Sequence, residues 1–219
     1  MALTKFNFNS FDVTSAASKG LGFNASANGF STINPGAMTL IKTLTASSSS
    51  SVTFIHGSSD VVLDSTYPIY LFKFINIHLA TDNGEWGANF TTDGTNFNVA
   101  KTSTYWYANH KENDSGYALA YSTSNDLANG TGIKILGKDV GTDNDQCTVG
   151  EMYLFNPSST TFVKHFIANT NYQHADEYNI DVYPAGYANT TSAITGVRFQ
   201  AISGNIDSGS FKLYGIKDS

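Results

Sequence analysis

The clearest pattern of hydrophobic and polar positions runs from Ile69 to Leu79. Successive side chains of an extended chain point to opposite faces of a sheet. One predicted face carries Leu71, Lys73, Ile75, Ile77 and Leu79, and the other carries Tyr70, Phe72, Phe74, Asn76 and His78. Both faces begin apolar and one becomes polar towards the end, which is typical of a central sandwich strand that leaves the core.

Two β-rich segments, residues 40–45 and 52–56, flank a run of five serines at residues 47–51. Strand-forming segments across a short polar turn predict a β-hairpin. The loop that follows, residues 57–66, carries Val61, Val62 and Leu63, and we expect it to fold back onto the core.

Further strands are predicted wherever apolar and aromatic residues alternate between Gly, Asn and Asp turns. Residues 117–127 fit either one or two helical turns or an irregular strand. About ten short strands without a long amphipathic helix predict an all-β fold, specifically a two-sheet antiparallel β-sandwich of jelly-roll type. The other predicted strands are residues 86–91, 97–99, 103–108, 133–136, 147–155, 161–168, 183–187, 194–202 and 209–216.

The first 37 residues differ from the rest of the chain. They are rich in Asn, Ser, Ala and Gly, with isolated apolar residues such as Phe8, Phe11 and Phe30 between turn-forming pairs. This composition predicts an extended N-terminal arm that lies on its own domain or on a neighbouring subunit as an assembly contact. The predicted division is therefore an arm at residues 1–37 and a sandwich domain at residues 38–219.

Composition changes the expected surface. Aromatic residues make up 13% of the chain, and charged residues only 14%, against about 25% in an average soluble domain. The exterior must then be built from Asn, Ser, Thr and Gly, which favours contacts with proteins or sugars. Nucleic acid is not an expected partner, because the net charge is −6 and no cluster of Lys and Arg is present.

A membrane partner is not expected either. The first nine residues lack the apolar run of a signal peptide. The most apolar stretch, Ile69–Leu79, is interrupted by Lys73, Asn76 and His78 and is too short to cross a bilayer. The sequence predicts a soluble protein made in a cytoplasm.

One acidic cluster offers a candidate metal site. Asp139, Asp143 and Asp145 lie close together, and calcium favours several carboxylate and carbonyl oxygens in one loop. The spacing is not that of an EF-hand, since the central Gly and terminal Glu are missing. The favoured interpretation is a solvated turn between strands, with a Ca²⁺ site as the alternative.

Catalytic constellations are missing from the sequence. The histidines and Cys147 have no zinc-like spacing, no pair of glutamates is positioned for glycoside hydrolysis, and no nucleophile motif occurs. Cys147 is predicted to be a small buried residue of a strand. An enzyme is not expected, nor is any cofactor other than the calcium alternative.

The two tryptophans, Trp86 and Trp106, are the candidate glycan-binding residues, because indole rings stack on sugars and carry a polar group. Trp106 sits between Tyr105 and Tyr107, so alternation in a strand buries either Trp106 or the two tyrosines. Packing in the core or in a subunit interface is the favoured interpretation for these aromatic residues.

Several strings resemble a known family. They are residues 40–50 (LIKTLTASSSS), 70–78 (YLFKFINIH), 80–83 (ATDN), 154–168 (LFNPSSTTFVKHFIA), 185–187 (AGY), 189–194 (NTTSAI), 203–209 (SGNIDSG) and 214–216 (YGI). From Met38 to the C-terminus, about four-fifths of the chain, their order resembles small virion proteins of tailed marine bacteriophages, especially cyanophages. The resemblance implies a structural component of the particle and carries over no functional residues.

The expected function is therefore that of a virion surface protein: a capsid decoration (cement) or head-fibre subunit. We expect it to form a homo-oligomer and to contact other virion proteins, after synthesis in the host cytoplasm. The alternative is a tail-associated adhesin or tail-fibre domain that binds host surface glycans.

Overall fold

The computed structural model describes residues 20–23, 26, 29–33 and 36–217. The chain divides into two compact units, Met1–Thr39 and Leu40–Ser219, with the boundary two residues beyond the expected one. The described residues form fifteen strands and contain no helix. The strands are β1 (Gly20–Phe23), β2 (Phe30–Ile33), β3 (Met38–Ser49), β4 (Ser51–Ile55), β5 (Ile69–Leu79), β6 (Gly84–Thr91), β7 (Lys101–Lys111), β8 (Tyr117–Tyr121), β9 (Leu127–Gly130), β10 (Lys134–Val140), β11 (Thr148–Phe155), β12 (Lys164–Gln173), β13 (Tyr178–Ala188), β14 (Gly196–Ala201) and β15 (Ile206–Ile216).

The strands form three sheets, which confirms the all-β prediction. The largest sheet has nine strands: eight follow the order β3-β15-β5-β11-β12-β13-β7-β8, and the ninth, β9, pairs with β7. The smaller has the order β10-β6-β14-β4. Pairings from β15 to β8 and throughout the smaller sheet are antiparallel. The third sheet is the β1–β2 hairpin.

Aromatic rings join the two large layers. The Phe72 ring centroid lies 5.4 Å from that of Phe54 and 5.3 Å from that of Phe199, and Phe74 lies 5.1 Å from Trp86. These contacts connect β5 to β4, β14 and β6. Each such side chain contributes about 1.5–3 kcal/mol when fully buried, so this aromatic cluster is a main source of the packing energy.

Strand β5 alternates as predicted only as far as Phe74. Asn76 has a positive φ of 52°, and the pairing with both neighbouring strands shifts register there. The shift turns Ile77 and Leu79 to the core side that Phe74 occupies, so the predicted placement of these two residues was wrong. A β-bulge inserts one residue and reverses the alternation beyond it.

The predicted hairpin of residues 40–56 was also wrong. Strand β3 belongs to the nine-stranded sheet and β4 to the four-stranded sheet, with only Ser50 between them. A single residue cannot form the two-residue turn of a tight hairpin. The chain instead turns a corner from one layer to the other, as strands do where they change sheets.

The strand predicted at residues 97–99 was wrong, since these residues belong to the loop between β6 and β7. Two other local predictions agree with the structure. Residues 117–127 hold strand β8, a turn at residues 123–125 and the first residue of β9, and no helix. Val61 and Leu63 fold back into the core from the loop after β4. Most of residues 1–37 lie outside the described part, so the extended arm stays a prediction; the hairpin that is described stacks Phe23 on Phe30 with ring centroids 5.2 Å apart.

The described part of the chain has no helix that is long and apolar enough to cross a membrane.

Candidate functional site

The structure does not bring the three candidate calcium ligands together. Asp139 lies in β10, whereas Asp143 and Asp145 lie in the exposed loop that follows. Gln146 closes this loop, since its Oε1 accepts from the Asp143 backbone N–H at 3.1 Å and its own N–H donates to the Asp143 carbonyl. No group of three His, Cys, Asp or Glu side chains in the described ranges is arranged to hold a metal ion.

Trp86 is a core residue, which corrects its candidacy for glycan binding. It lies in β6, 0% exposed, with its ring 5.1 Å from Phe74 and 6.2 Å from Phe211. A tryptophan with no exposed surface presents no face on which a sugar can stack.

Trp106 is the tryptophan at the surface. It is 40% exposed on β7 and lies parallel to Tyr183 of β13. Tyr105, its neighbour in sequence, is buried on the opposite side of the strand. Alternation along β7 thus buries a tyrosine and leaves the indole accessible.

Cys147 immediately precedes β11 and is half-buried, less enclosed than predicted. Its Sγ lies 3.9 Å from the side-chain oxygen of Asn76. Burial raises the pKa of the thiol, which disfavours the reactive thiolate at neutral pH.

The described residues enclose a cleft of about 310 Å³. It lies where the nine-stranded sheet extends past β10, the edge of the smaller sheet. Strand β7 supplies inward-facing side chains, the segment after β8 supplies hydroxyls, and β10, β12 and β13 complete the wall. The lining residues are Tyr105, Tyr107, Asn109, Ser122, Ser124, Asn125, Lys138, Asp139, Tyr172, His174 and Ile180.

Hydrogen-bonding groups dominate the cleft. The hydroxyl of Tyr172 accepts from the backbone N–H of Lys138 at 3.1 Å. Burial raises the pKa of Tyr172 to about 12 and that of Tyr105 further, so both phenols stay protonated at neutral pH. The Oδ1 of Asn109 is shielded from solvent and has no hydrogen-bond partner within the described structure. It is an acceptor that a ligand donor would satisfy.

Two ionisable side chains of the cleft lie near carboxylates. His174 Nε2 lies 3.8 Å from Asp139 Oδ2, and Lys138 Nζ lies 3.8 Å from Glu85 Oε1. Aromatic walls, hydroxyls and one unsatisfied amide oxygen suit the binding of a neutral, hydroxyl-rich ligand. Sequence reasoning missed this cleft because its residues come from five separate segments, although the alternation predicted for residues 103–108 placed Tyr105 and Tyr107 on one face.

The outer face of the nine-stranded sheet is the side turned away from the smaller sheet. The registers place on it a broad set of aromatic and aliphatic side chains. Lys73 and Glu151 form an ion pair among them, with 2.8 Å between Nζ and Oε2. The apolar members are Leu71, Trp106, Tyr117, Leu119, Tyr121, Tyr153, Phe155, Ile167, Tyr183, Tyr187 and Tyr214.

Buried lysines connect separate strands. Lys134 of β10 donates to the carbonyls of Thr104 and Asn125, at 3.1 and 2.8 Å. Lys101 of β7 donates to the side chain of Asn89 in β6 and to the Val99 carbonyl. Burial lowers the pKa of Lys134 to about 7 and that of Lys101 to about 8. Because Thr104 and Asn89 belong to the facing sheets, each lysine links the two layers.

Comparisons with protein-family models, with curated proteins and with solved structures find no match to this chain.

Proposed function

We propose that this chain is a structural protein of a bacteriophage virion, exposed on the particle surface as a capsid decoration (cement) or head-fibre subunit. The observation that carries the proposal is the outer face of the nine-stranded sheet, on which Trp106, Leu119 and Ile167 are exposed. The resemblance of residues 38–219 to small phage virion proteins supports the same assignment.

The outer face has the character of a protein contact surface. Its side chains are largely aromatic and aliphatic, and Trp106, Leu119 and Ile167 are among its exposed members. Contiguous exposed apolar area on a soluble protein marks an interaction site. Covering one such side chain contributes up to about 1.5–3 kcal/mol, so a few of them can hold a subunit among other virion proteins.

Three finer features belong to the same proposal. The sandwich is of the jelly-roll type, the segment at residues 1–37 is an extended arm that contacts a neighbouring subunit, and the assembled form is a homo-oligomer. Two layers of antiparallel strands support the first feature. The Asn, Ser and Gly-rich composition of residues 1–37 supports the second.

The alternative function is that of a tail-associated adhesin that binds a host surface glycan. The cleft under β7 favours it, because Tyr107, Ser122 and Ser124 offer an aromatic wall and hydroxyl groups, and Asn109 offers an unsatisfied acceptor. Exposed Trp106, on the other side of β7, is a second stacking surface.

Copy number on purified particles tests the primary function. Quantitative mass spectrometry of particles from the phage that encodes this chain should find it in hundreds of copies if it decorates the head. A handful of copies would favour the tail, and absence from the particles would contradict both assignments. Locating the protein in images of intact particles provides the second readout.

A glycan array tests the alternative. We expect binding by the full chain to be lost in Tyr107→Ala if the cleft holds the sugar, and in Trp106→Ala if the outer face does. Phe162→Ala, which removes an exposed ring elsewhere, is the matched control and should bind as the parent does. A parent protein that binds no glycan would contradict the adhesin.

A further inference from the structure

Among the strands that the structure describes, β8 is an edge strand without the usual protection. It lies at the end of the nine-stranded sheet and reads Tyr117-Ala-Leu-Ala-Tyr121, with no charged residue and no proline. Tyr117 is 81% exposed, Leu119 74% and Tyr121 51%. Natural sheets normally blunt their edges with charges, prolines or bulges, because an unprotected apolar edge pairs with another strand.

The free edge of β8 has a defined set of backbone groups. Lys111 N–H donates to the Gly116 carbonyl, and Ser122 N–H donates to the Tyr105 carbonyl, both at 2.8 Å. Backbone groups of successive residues in an antiparallel pair alternate between the partner and the free side. Because Gly116 and Ser122 bond to β7, Ala118 and Ala120 between them also direct their backbone groups towards β7. Tyr117, Leu119 and Tyr121 direct their N–H and C=O groups away from β7.

The sequence of β8 is the same in both directions. An antiparallel pairing centred on Leu119 sets that residue opposite Leu119 of a second copy. It sets Tyr117 opposite Tyr121 of the second copy, and alanine opposite alanine. In this register the outward backbone groups of both strands face one another, and no like charges meet across the pair.

We propose that β8 pairs with β8 of a second copy of this chain about a two-fold axis at Leu119. The contact is isologous, so it closes after two copies and does not propagate into a fibre. It joins two nine-stranded sheets edge to edge, and makes their outer faces continuous, since Tyr121 and Trp106 are cross-strand neighbours. This inference rests on the proposed function, because it specifies the contact between identical chains in the proposed homo-oligomer.

A second copy is the occupant that the strand itself specifies. Pairing with a different protein would need no symmetry in the sequence of residues 117–121. A two-fold contact places each residue opposite the residue at the same distance on the other side of Leu119, so these two residues must fit one another. The five residues of β8 meet this condition at every position. Directly opposed apolar and aromatic pairs are favourable in antiparallel sheets.

The oligomeric state of the full chain tests the proposal. Sedimentation equilibrium should give the parent protein a mass of two chains or an even multiple. Leu119→Lys, which brings two like charges together at the axis, should halve that mass with an unchanged far-UV spectrum. Phe162→Lys, at another exposed apolar residue, should keep the parent mass. A monomeric parent, or a Leu119→Lys protein with the parent mass, would overturn the proposal.

Cysteine cross-linking tests the register. Residues opposed in a hydrogen-bonded antiparallel pair have Cα atoms about 5.5 Å apart, within the range of a disulfide. Leu119→Cys in a Cys147→Ser background should therefore form a covalent dimer on mild oxidation, and Phe162→Cys in the same background should not. Failure of Leu119→Cys to cross-link would overturn the register.

Failure of this inference is distinguishable from failure of the proposed function. A chain abundant on particles but monomeric in solution would overturn the β8 contact and leave the virion assignment in place. A dimer that depends on β8 but is absent from particles would overturn the virion assignment and leave the β8 contact in place.

Discussion

The indole of Trp106 lies parallel to the ring of Tyr183, with centroids 4.2 Å apart and an angle of 12° between the planes. The two residues are cross-strand partners in β7 and β13. The other tryptophan, Trp86, is enclosed between the sheets. The protein therefore holds one solvent-accessible and one inaccessible indole, and fluorescence can observe them separately.

Replacing Trp106 with Phe should leave only the emission of Trp86. We expect the emission maximum to shift to shorter wavelength and acrylamide quenching to fall well below that of the parent protein. The stability cost should stay below about 1.5 kcal/mol, because an aromatic pair is largely retained. Trp86→Phe is the reciprocal variant. It keeps only the exposed indole of Trp106, which acrylamide should quench readily. Equal quenching in the two variants would contradict the placement of the tryptophans.

Local alternation predicted much of the fold. In β5 the positions from Tyr70 to Phe74 followed the expected faces, because pleating fixes side-chain direction over short distances. The bulge at Asn76 could not be foreseen, since it depends on the neighbouring strands and not on β5 alone. Gly209 lies opposite it with φ of 124°, and an added Cβ there would meet the Asn76 carbonyl at 2.7 Å.

The sequence could not predict which sheet each strand joins, nor could it predict the cleft. The residues around Ser50 carry strand propensity on both sides, and propensity does not say which sheet each strand joins. Trp86 lies in the strand segment expected from residues 86–91, but only the packing of β6 against β5 shows that it faces the core. Cleft residues such as Tyr107 and Lys138 meet through tertiary contacts alone.

Gly87 tests how closely β6 and β10 approach. A Cβ at this position would lie only 2.0 Å from the backbone carbonyl oxygen of Lys134, which cannot move without breaking the sheet. We expect Gly87→Ala to lower the free energy of unfolding by about 1–3 kcal/mol. Urea denaturation measures the change.

Gly132→Ala is the matched control for Gly87→Ala. Its Cβ would make an ordinary contact of 3.7 Å with Leu127 Cδ2. Its effect on the free energy of unfolding should stay within about 0.5 kcal/mol. An equal loss of stability in the two variants would contradict the close approach at Gly87.

Deletion of residues 1–37 tests the proposed arm. The buried apolar core of the described chain begins at Ala46, so the unit Leu40–Ser219 should fold without this segment. We expect a far-UV spectrum dominated by β-structure and a cooperative thermal transition. Incorporation into particles should be abolished, because the deletion removes the segment proposed to contact a neighbouring subunit. Truncated protein present on particles at the parent copy number would contradict the assembly role.

The last prediction concerns Lys134 and pH. In the unfolded chain a lysine has a pKa of about 10.4, whereas burial lowers that of Lys134 to about 7 in the folded protein. The folded state therefore disfavours the protonated form, and the penalty is complete below the folded pKa. It decreases as pH rises from the folded towards the unfolded value, so stability should increase with pH across this window.

Lys134→Met should remove the Lys134 share of this dependence and leave the smaller share of Lys101, whose pKa burial lowers to about 8. Between about pH 7 and about pH 8.5, linkage predicts that the Lys134 contribution to the free energy of unfolding of the parent protein rises by about 1–2 kcal/mol. This range lies below the ordinary pKa of tyrosine, so the buried phenols do not interfere. Urea denaturation at both pH values measures the change, and Lys42→Met, at a partly exposed position of β3, is the control that should retain it. A Lys134→Met protein with the slope of the parent would show that the ammonium is already satisfied by the carbonyls of Thr104 and Asn125.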